Sequence, residues 1–205
     1  MFQNVYTISF IILLFAVLSD LLVPFILGNK YPGYSHLLHT ISTLGTDVSP
    51  VKKYECANLA VVGILFIIFS LAQYFTIKTK NWAFNWYLIS IGVYGAGCIL
   101  AGLFPEDEKG QGETVNGKIH GIASGIGFLF LIAAPIFAVW IKALFSIVIL
   151  NIAFFALGLL SFIVFLISEG RERGILRYSG LLQRINLCVL YLSLIVNFLG
   201  LRFYT

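Results

Sequence analysis

The sequence predicts an all-α fold: a polytopic membrane protein whose single domain is a bundle of six transmembrane helices, with a short interfacial helix in the first long loop. Three observations support this. Of the 205 residues, 60% are hydrophobic and 11% are charged, whereas about 25% of residues in soluble proteins are charged. The mean hydropathy is +0.96. Apolar runs of about 20 residues, the length that crosses a bilayer, follow one another and leave no room for a separate soluble domain.

Six apolar segments are predicted to span the membrane: residues 6–27, 56–77, 82–104, 120–141, 144–168 and 181–201. The first lacks the basic segment and the cleavage site of a signal peptide, so we expect a retained helix. Lys142 is the only charge between His120 and Glu169, and that run is too long for one helix, so a turn there separates two spans. Six spans place both termini on the same side of the membrane.

Aromatic and small residues mark the third and fourth spans. Trp82, Trp86 and Tyr87 open the third span, as is typical of side chains at the level of the lipid headgroups. Gly121 and Gly125 in the fourth span have the spacing that lets two helix backbones approach closely. We therefore expect these glycines to bring the two spans together.

The first loop, residues 28–54, is the longest connection and contains a periodic segment. Within residues 34–44, apolar side chains recur at helical spacing at Leu37, Leu38, Ile41 and Leu44. This pattern predicts a short helix lying in the membrane interface.

Charge and cysteine content exclude several classes of protein. The formal net charge of +4 arises from short loops, so it bears on topology and lipid headgroups, and no nucleic-acid partner is expected. Cys56, Cys98 and Cys188 have no CxxC spacing, which argues against a disulfide framework or a thiolate metal site. No cofactor is expected, and the sequence does not set an oligomeric state.

The polar residues collect on one membrane face. In a six-span arrangement the loops 28–54, 105–118 and 169–180 share this face, and every acid and every histidine lies on it or within about two turns of it. The opposite face has Lys78, Lys80, Lys142 and Arg202. Arg171, Arg173 and Arg177 on the polar face are either a strip that contacts solvent and headgroups or a clamp for a substrate.

His120 and Asp107 are the candidate catalytic residues. A polar hairpin joins the third and fourth spans and holds Asp107 near the end of one and His120 at the start of the other. His120 is either an interfacial residue at a helix start or a metal ligand or acid–base group beside Asp107, because histidine titrates near neutrality. We predict that both residues meet residues 42–50 of the first loop in one pocket.

His36, His39 and His120 are candidate metal ligands. His36 and His39 lie on neighbouring turns of the predicted interfacial helix, where they are either surface residues or ligands. Three histidines converging with Asp47 or Asp107 would suit zinc, which takes three protein ligands and a water molecule at catalytic sites. No HExxH motif is present, so zinc is an alternative to a site without metal.

Asp20 and Arg184 are charged residues within the first and sixth predicted spans. Each lies one or two turns into the membrane from the same side. A lone charge costs about 2.5–3.5 kcal/mol at the centre of a spanning helix. We therefore predict that Asp20 and Arg184 form an ion pair.

Short motifs across most of the chain carry a resemblance to a known family. They comprise His39, Ser42, Leu44 and Gly45, then Ser49, Pro50 and Asn58, then Gly102, Phe104, Pro105, Asp107 and His120, and finally Gly180, Leu181, Gln183 and Arg184. These motifs resemble the bacterial and archaeal six-span membrane family catalogued as domain of unknown function 998. Gln183 stands where that family has an acid. More distantly, the chain is similar to the damage-regulated autophagy modulator family.

The resemblance implies a six-span protein in the cell membrane of a prokaryote. Counting Lys and Arg alone would place the polar face in the cytoplasm. That face also has every acid, and the similar eukaryotic family keeps its termini cytoplasmic, so we expect cytoplasmic termini.

Two functions compete. The first is a protein without catalytic activity that binds a lipid headgroup or small solute as a sensor, regulator or transporter, through the candidate ligand-binding residues Ser42, Gly45, Asp47, Asn58, Asp20 and Arg184. Membrane lipids are the expected partners. The alternative is an intramembrane lipid hydrolase that uses His120 and Asp107, with or without zinc.

Overall fold

Six long helices form the architecture of the described part of the chain, as predicted. The computed structural model describes residues 2–77, 81–108, 112–169, 171 and 173–201; Lys78, Lys80 and Arg202 of the predicted opposite face lie outside them. The helices are α1 (Phe2–Gly28), α2 (Lys52–Thr76), α3 (Trp82–Leu103), α4 (Val115–Ala138), α5 (Val148–Ser168) and α6 (Ser179–Leu201). Within the described residues all six are long and apolar enough to cross a bilayer, and no strand occurs. The prediction of an all-α multi-pass membrane protein is therefore confirmed.

Short 3₁₀ helices and side-chain caps define the connections. The 3₁₀ turns are Ser42–Gly45, Lys142–Ile147 and Ile175–Arg177. Asn81 caps α3 by accepting a hydrogen bond from the N–H of Phe84 at 2.8 Å. Thr114 caps α4 in the same way, through the N–H of Gly117 at 3.1 Å. Both side chains satisfy N–H groups that a helix start leaves without intrahelical partners.

Helices α2, α3 and α4 pack side by side, and α6 lies against α5 with further contacts to α1 and α4. A Cβ on Gly63 of α2 would overlap the carbonyl oxygen of Gly95 on α3. At the α3–α4 contact, a Cβ on Gly97 would lie 2.7 Å from the carbonyl oxygen of Ala123 and 3.3 Å from the Cα of Gly127. These glycines are therefore needed for the close approach of the helices.

The predicted packing role of Gly121 and Gly125 is wrong. A Cβ on either would meet nothing within 4 Å among the described residues. Gly97 and Gly127 make the close approach between α3 and α4, on a different face of α4. The spacing of the glycines indicated a tight helix contact, but only the rotation of α4 about its axis decides which pair of glycines forms it.

The predicted interfacial helix over residues 34–44 is not confirmed. Residues 36–38 form a turn, and the only helical turn of the segment is the 3₁₀ helix Ser42–Gly45. A helix would bond the carbonyl groups of this segment internally. Here several of them accept hydrogen bonds from α6 instead, so tertiary contacts override the apolar periodicity.

Candidate functional site

The first loop is bound to the start of α6 by one guanidinium group. Nη1 of Arg184 donates to the carbonyl oxygens of His36 at 2.9 Å, His39 at 3.2 Å and Gly180 at 2.9 Å. Nη2 donates to the hydroxyl of Tyr34 at 2.8 Å. Burial raises the pKa of the Tyr34 hydroxyl, although the neighbouring Arg184 charge opposes the shift. Arg184 therefore fixes the loop over the first turn of α6.

Polar neighbours of Arg184 extend this attachment. The hydroxyl of Ser179 donates to the carbonyl oxygen of Leu38 at 2.8 Å. The N–H of Ile41 donates to Oε1 of Gln183 at 2.7 Å. An acid at position 183 would accept this bond equally well, so the chain keeps the acceptor while it removes a negative charge.

Gly180 allows the two segments to touch. A Cβ at this position would overlap the carbonyl oxygen of His39 and lie 2.7 Å from that of His36. Gly180, Gln183 and Arg184 thus act together, and we call these three residues the α6 cradle. The cradle holds loop residues 34–41. These three residues belong to the short sequence motif at the start of α6.

Asp20 does not pair with Arg184, which corrects the sequence prediction. The hydroxyl of Tyr191 donates to Oδ2 of Asp20, and the hydroxyls of Tyr191 and Tyr94 are hydrogen-bonded to each other. Since the Tyr191 hydrogen points to Asp20, Tyr94 is the donor in the second bond. Arg184 is bonded to the loop carbonyl groups. The carboxyl group of Asp20 is bonded instead to Tyr191, which lies about two turns further along α6.

Asp20 also forms part of the wall of a partly open cavity of about 50 Å³ that lies among buried residues of the bundle and is called the interior cavity below. The other polar residues of the wall are Ser42 from the first loop, Tyr94 from α3, Ser124 from α4 and Gln183 from α6. Ser42 and Ser124 are half-buried, whereas Asp20, Tyr94 and Gln183 are buried. The remainder of the lining is mostly apolar. The cavity thus combines a few convergent polar groups with apolar walls, as small-ligand sites usually do.

Glu55 is a buried acid that the sequence reasoning missed. It is 0% exposed, and neither carboxyl oxygen has a hydrogen-bond partner among the residues that the structure describes. The predicted second span began at residue 56, which left Glu55 outside the bundle. Helix α2 begins at Lys52 instead, so Glu55 lies in its first turn and faces inward. Extending the predicted helix by one turn would have found it.

His120 stabilises the end of α3. Helix α4 begins at Val115, so His120 lies in its second turn and is 5% exposed. Its Nδ1 is 3.2 Å from the carbonyl oxygen of Ala101 and 3.0 Å from that of Phe104. Both atoms are acceptors, so Nδ1 carries the hydrogen. The ring therefore satisfies carbonyl groups that the last turn of α3 leaves unpaired.

Asp107 stabilises the start of α4. The N–H of Thr114 donates to Oδ2 of Asp107 at 2.8 Å, and the Thr114 hydroxyl donates to Oδ1 at 2.5 Å. These two bonds lower the pKa of the Asp107 carboxyl group below its usual range. Asp107 lies close enough to His120 to interact with it electrostatically. Their described hydrogen bonds are those of two helix caps, and no contact between them resembles an acid–base pair.

The structure brings Asp107 and the first loop together but places His120 elsewhere. An outer pocket of about 190 Å³ is lined by Asp107 and, from the first loop, by residues that include His39, Thr43 and Thr46. Ser42 lines the interior cavity instead, and His120 lines neither space. The residues predicted to share one pocket are thus divided between the outer pocket, the cavity and a helix cap.

The three histidines are not grouped as metal ligands. His36 stacks on the ring of Phe25, with ring centroids 4.5 Å apart, and its Nε2 is 3.4 Å from Oδ1 of Asn29. Partial burial and the nearby positive charge of Arg184 lower the pKa of the His36 ring. Nδ1 of His39 accepts the N–H of Ser35 at 2.9 Å. In the described part of the chain, no three His, Cys, Asp or Glu side chains could hold a metal ion.

The remaining candidates have local partners. Gly45 is buried, and its carbonyl oxygen is 3.9 Å from Sγ of Cys56. Asp47 is an exposed surface residue that forms an ion pair with Lys52. Nδ2 of Asn58 donates to the carbonyl oxygen of Ser19 at 3.5 Å, a weak link between α2 and α1. None of these residues lines the interior cavity.

Comparison with known proteins identifies the family. The sequence model of a family described as "Protein of unknown function (DUF998)" matches residues 14–200. The chain belongs to this family. No curated protein and no solved structure matches the chain. The match extends from α1 to the end of α6 and therefore includes both the α6 cradle and the interior cavity.

Proposed function

We propose that this membrane protein binds a small ligand in the cavity beneath the first loop and acts as a sensor, regulator or carrier of that ligand. The observation that carries the proposal is the position of Asp20, a buried carboxyl group in the cavity wall. Ionisable residues within spanning helices are expensive and usually serve a function. Asp20 makes no ion pair among the described residues, so stabilising the fold by charge pairing does not account for it.

The size and lining of the cavity favour the polar end of a small molecule. About 50 Å³ exceeds the roughly 10–15 Å³ that a cavity needs to hold one water molecule, but it is far below the 300–1,000 Å³ of sites for drug-sized ligands. Asp20, Ser42 and Gln183 offer hydrogen-bonding groups, and the apolar remainder suits a hydrocarbon part. A small amphipathic solute and a lipid headgroup both have this chemistry.

The attachment of the first loop suggests how the ligand enters. Ile41 and Ser42 line the cavity, and the α6 cradle holds the segment immediately before them. Release of residues 34–41 from Arg184 and Gln183 would widen the cavity toward the polar face. The same hydrogen bonds that build the site would then control access to it.

Thermal unfolding in detergent, with native mass spectrometry, tests the proposal. We would add ethanolamine, glycerol and a single-chain zwitterionic phospholipid to the purified protein and record the shift in Tm. We expect at least one probe to raise Tm and to be seen bound, with both effects lost in Asp20→Asn. A response to the free headgroups indicates a small solute, and a response to the phospholipid alone indicates a lipid.

A matched pair of substitutions on α2 provides the control. Leu59→Trp fills the cavity, since Leu59 lines it, whereas Ile64→Trp adds the same bulk at a position that is 48% exposed on the outside of the bundle. Only Leu59→Trp should remove the shift. Equal shifts in both variants, or no bound probe in the wild type, would refute binding in this cavity.

We further propose that the termini are cytoplasmic in a prokaryotic cell membrane, so that the polar face is external. In a variant without the three native cysteines, Glu113→Cys should react with an impermeant maleimide in intact cells. Lys142→Cys, exposed at the opposite end of the bundle, should react only after permeabilisation. The reverse pattern would invert the orientation.

A further inference from the structure

Glu55 is a buried acid of α2 that does not line the interior cavity. Both of its oxygens are buried without a hydrogen-bond partner among the described residues, and the residue is 0% exposed. An ionised carboxylate without a partner is far more costly to bury than a neutral group. Neither the ligand-binding proposal nor the helix caps use Glu55, so its burial needs a separate explanation.

The charged and titratable groups that interact with Glu55 come from three other elements. Asp20 of α1 and Arg184 of α6 act on it electrostatically, and Tyr34 of the first loop is within range of its charge. On α2 itself, the next residue is Cys56, which is half-buried. Lys52, one turn earlier, is bound to Asp47 at the surface. No described lysine or arginine forms an ion pair with Glu55.

These groups are one positive charge short of neutrality. Asp20 and Glu55 would contribute two negative charges if both were ionised, against the single charge of Arg184. The described N–H bonds of Arg184 go to carbonyl oxygens, Tyr34 and His36, not to a carboxylate. Burying both negative charges with one cation between them is costly, so one of the two carboxyl groups is expected to be protonated.

We propose that Glu55 is a binding site for one exchangeable proton and that Asp20 stays the ionised acid of the two. The Tyr191 hydroxyl donates to Asp20 and stabilises a negative charge there, whereas no described group donates to Glu55. A metal ion is a poorer occupant, because no three candidate ligand side chains come together in the described residues. This proton site does not depend on any ligand in the cavity.

The site gives the protein a means of responding to protons. Removal of the proton leaves two buried negative charges beside the α6 cradle, and Arg184 is the cation that acts electrostatically on Glu55. Deprotonation therefore favours movement of Arg184 from the loop carbonyl groups toward the acids. Loss of the proton and release of the first loop are thus coupled through one side chain.

Infrared spectroscopy of the purified protein in lipid nanodiscs tests the proposal directly. At neutral pH we expect the carbonyl absorption of a protonated carboxyl group, which is absent from Glu55→Gln and disappears from the wild type at alkaline pH. Glu113→Gln is the matched control, because Glu113 is an exposed acid that is paired with Lys118. It should keep the absorption. A wild-type spectrum without the absorption, or one that Glu55→Gln leaves unchanged, would overturn the proposal.

A second measurement needs no variant. Dicyclohexylcarbodiimide reacts with protonated carboxyl groups in apolar surroundings, and mass spectrometry locates the adduct. We expect Glu55 to be labelled at neutral pH, with at least tenfold less labelling at alkaline pH. At constant pH, the extent of labelling should be the same in sodium and in choline buffers. Absence of label on Glu55, or protection by sodium at constant pH, would show that the site does not hold a proton.

Discussion

Replacement of Arg184 by lysine should release the first loop without unfolding the bundle. The guanidinium group reaches two loop carbonyl oxygens, those of His36 and His39, and also the hydroxyl of Tyr34. Lysine keeps the charge but has a single nitrogen, so it cannot bond the carbonyl groups and the hydroxyl in the same geometry. The loop should therefore open locally while the helices stay packed.

The size of the effect follows from the bonds that are lost. Hydrogen bonds to charged groups contribute about 1.5–3 kcal/mol each, and the half-buried position of Arg184 places these bonds at the lower end. Loss of two bonds then destabilises the closed loop by about 3 kcal/mol. Since each 1.4 kcal/mol is a factor of ten, local opening should become roughly 100-fold more frequent.

Hydrogen–deuterium exchange of residues 37–41 measures this opening. The N–H of Ile41, bonded to Gln183 in the native loop, is the most informative amide, because local opening exposes it without global unfolding. Arg177→Lys is the control, since Arg177 is exposed and lies over the ring of Tyr178. If Arg184→Lys leaves exchange in the loop unchanged while the helices are equally protected in all variants, Arg184 does not hold the loop closed.

Three further substitutions probe the cradle and the caps. Gly180→Ala should accelerate exchange of the same loop peptide, because its Cβ would overlap the carbonyl oxygen of His39; unchanged exchange would contradict that contact. His120→Ala should destabilise the fold by about 1–2 kcal/mol, as it leaves buried carbonyl groups unpaired, and chemical denaturation measures this; full stability would argue against the cap. Asp107→Asn should lower Tm at neutral pH. Because the folded pKa of Asp107 is depressed, the advantage of the wild-type carboxylate over the asparagine variant is present above the unfolded pKa of about 4 and disappears as pH falls through the folded value. A difference in Tm that is independent of pH would exclude an electrostatic origin.

Much of the architecture could be predicted because hydrocarbon imposes one requirement on every spanning segment. Backbone groups within the bilayer must be hydrogen-bonded internally, so apolar runs of sufficient length become helices whatever surrounds them. The six helices and the turn at Lys142 follow from this. Asp20 and Arg184 were also found from sequence, since a charge within an apolar run is visible without any knowledge of packing.

The partners of those charges were decided only by the tertiary structure. An ion pair of Asp20 and Arg184 was predicted because both residues lie at a similar depth in the membrane. That depth does not give the direction in which a side chain points. Arg184 faces a loop whose carbonyl groups lack helical partners, and Tyr191 reaches Asp20 from inside the bundle.

The same limit explains the interfacial helix, the glycines of α4 and Glu55. Apolar periodicity describes what a segment could do alone, whereas residues 34–41 bond to α6, 140 or more residues away in the chain. Gly121 and Gly125 have the spacing of a contact but not its orientation. Glu55 lies at a boundary where one additional helical turn moves a carboxyl group from solvent into the protein interior. Sequence alone determined which segments enter the membrane; the rotation of each helix and the course of the first loop, set by long-range packing and hydrogen bonds, decided which polar groups meet there.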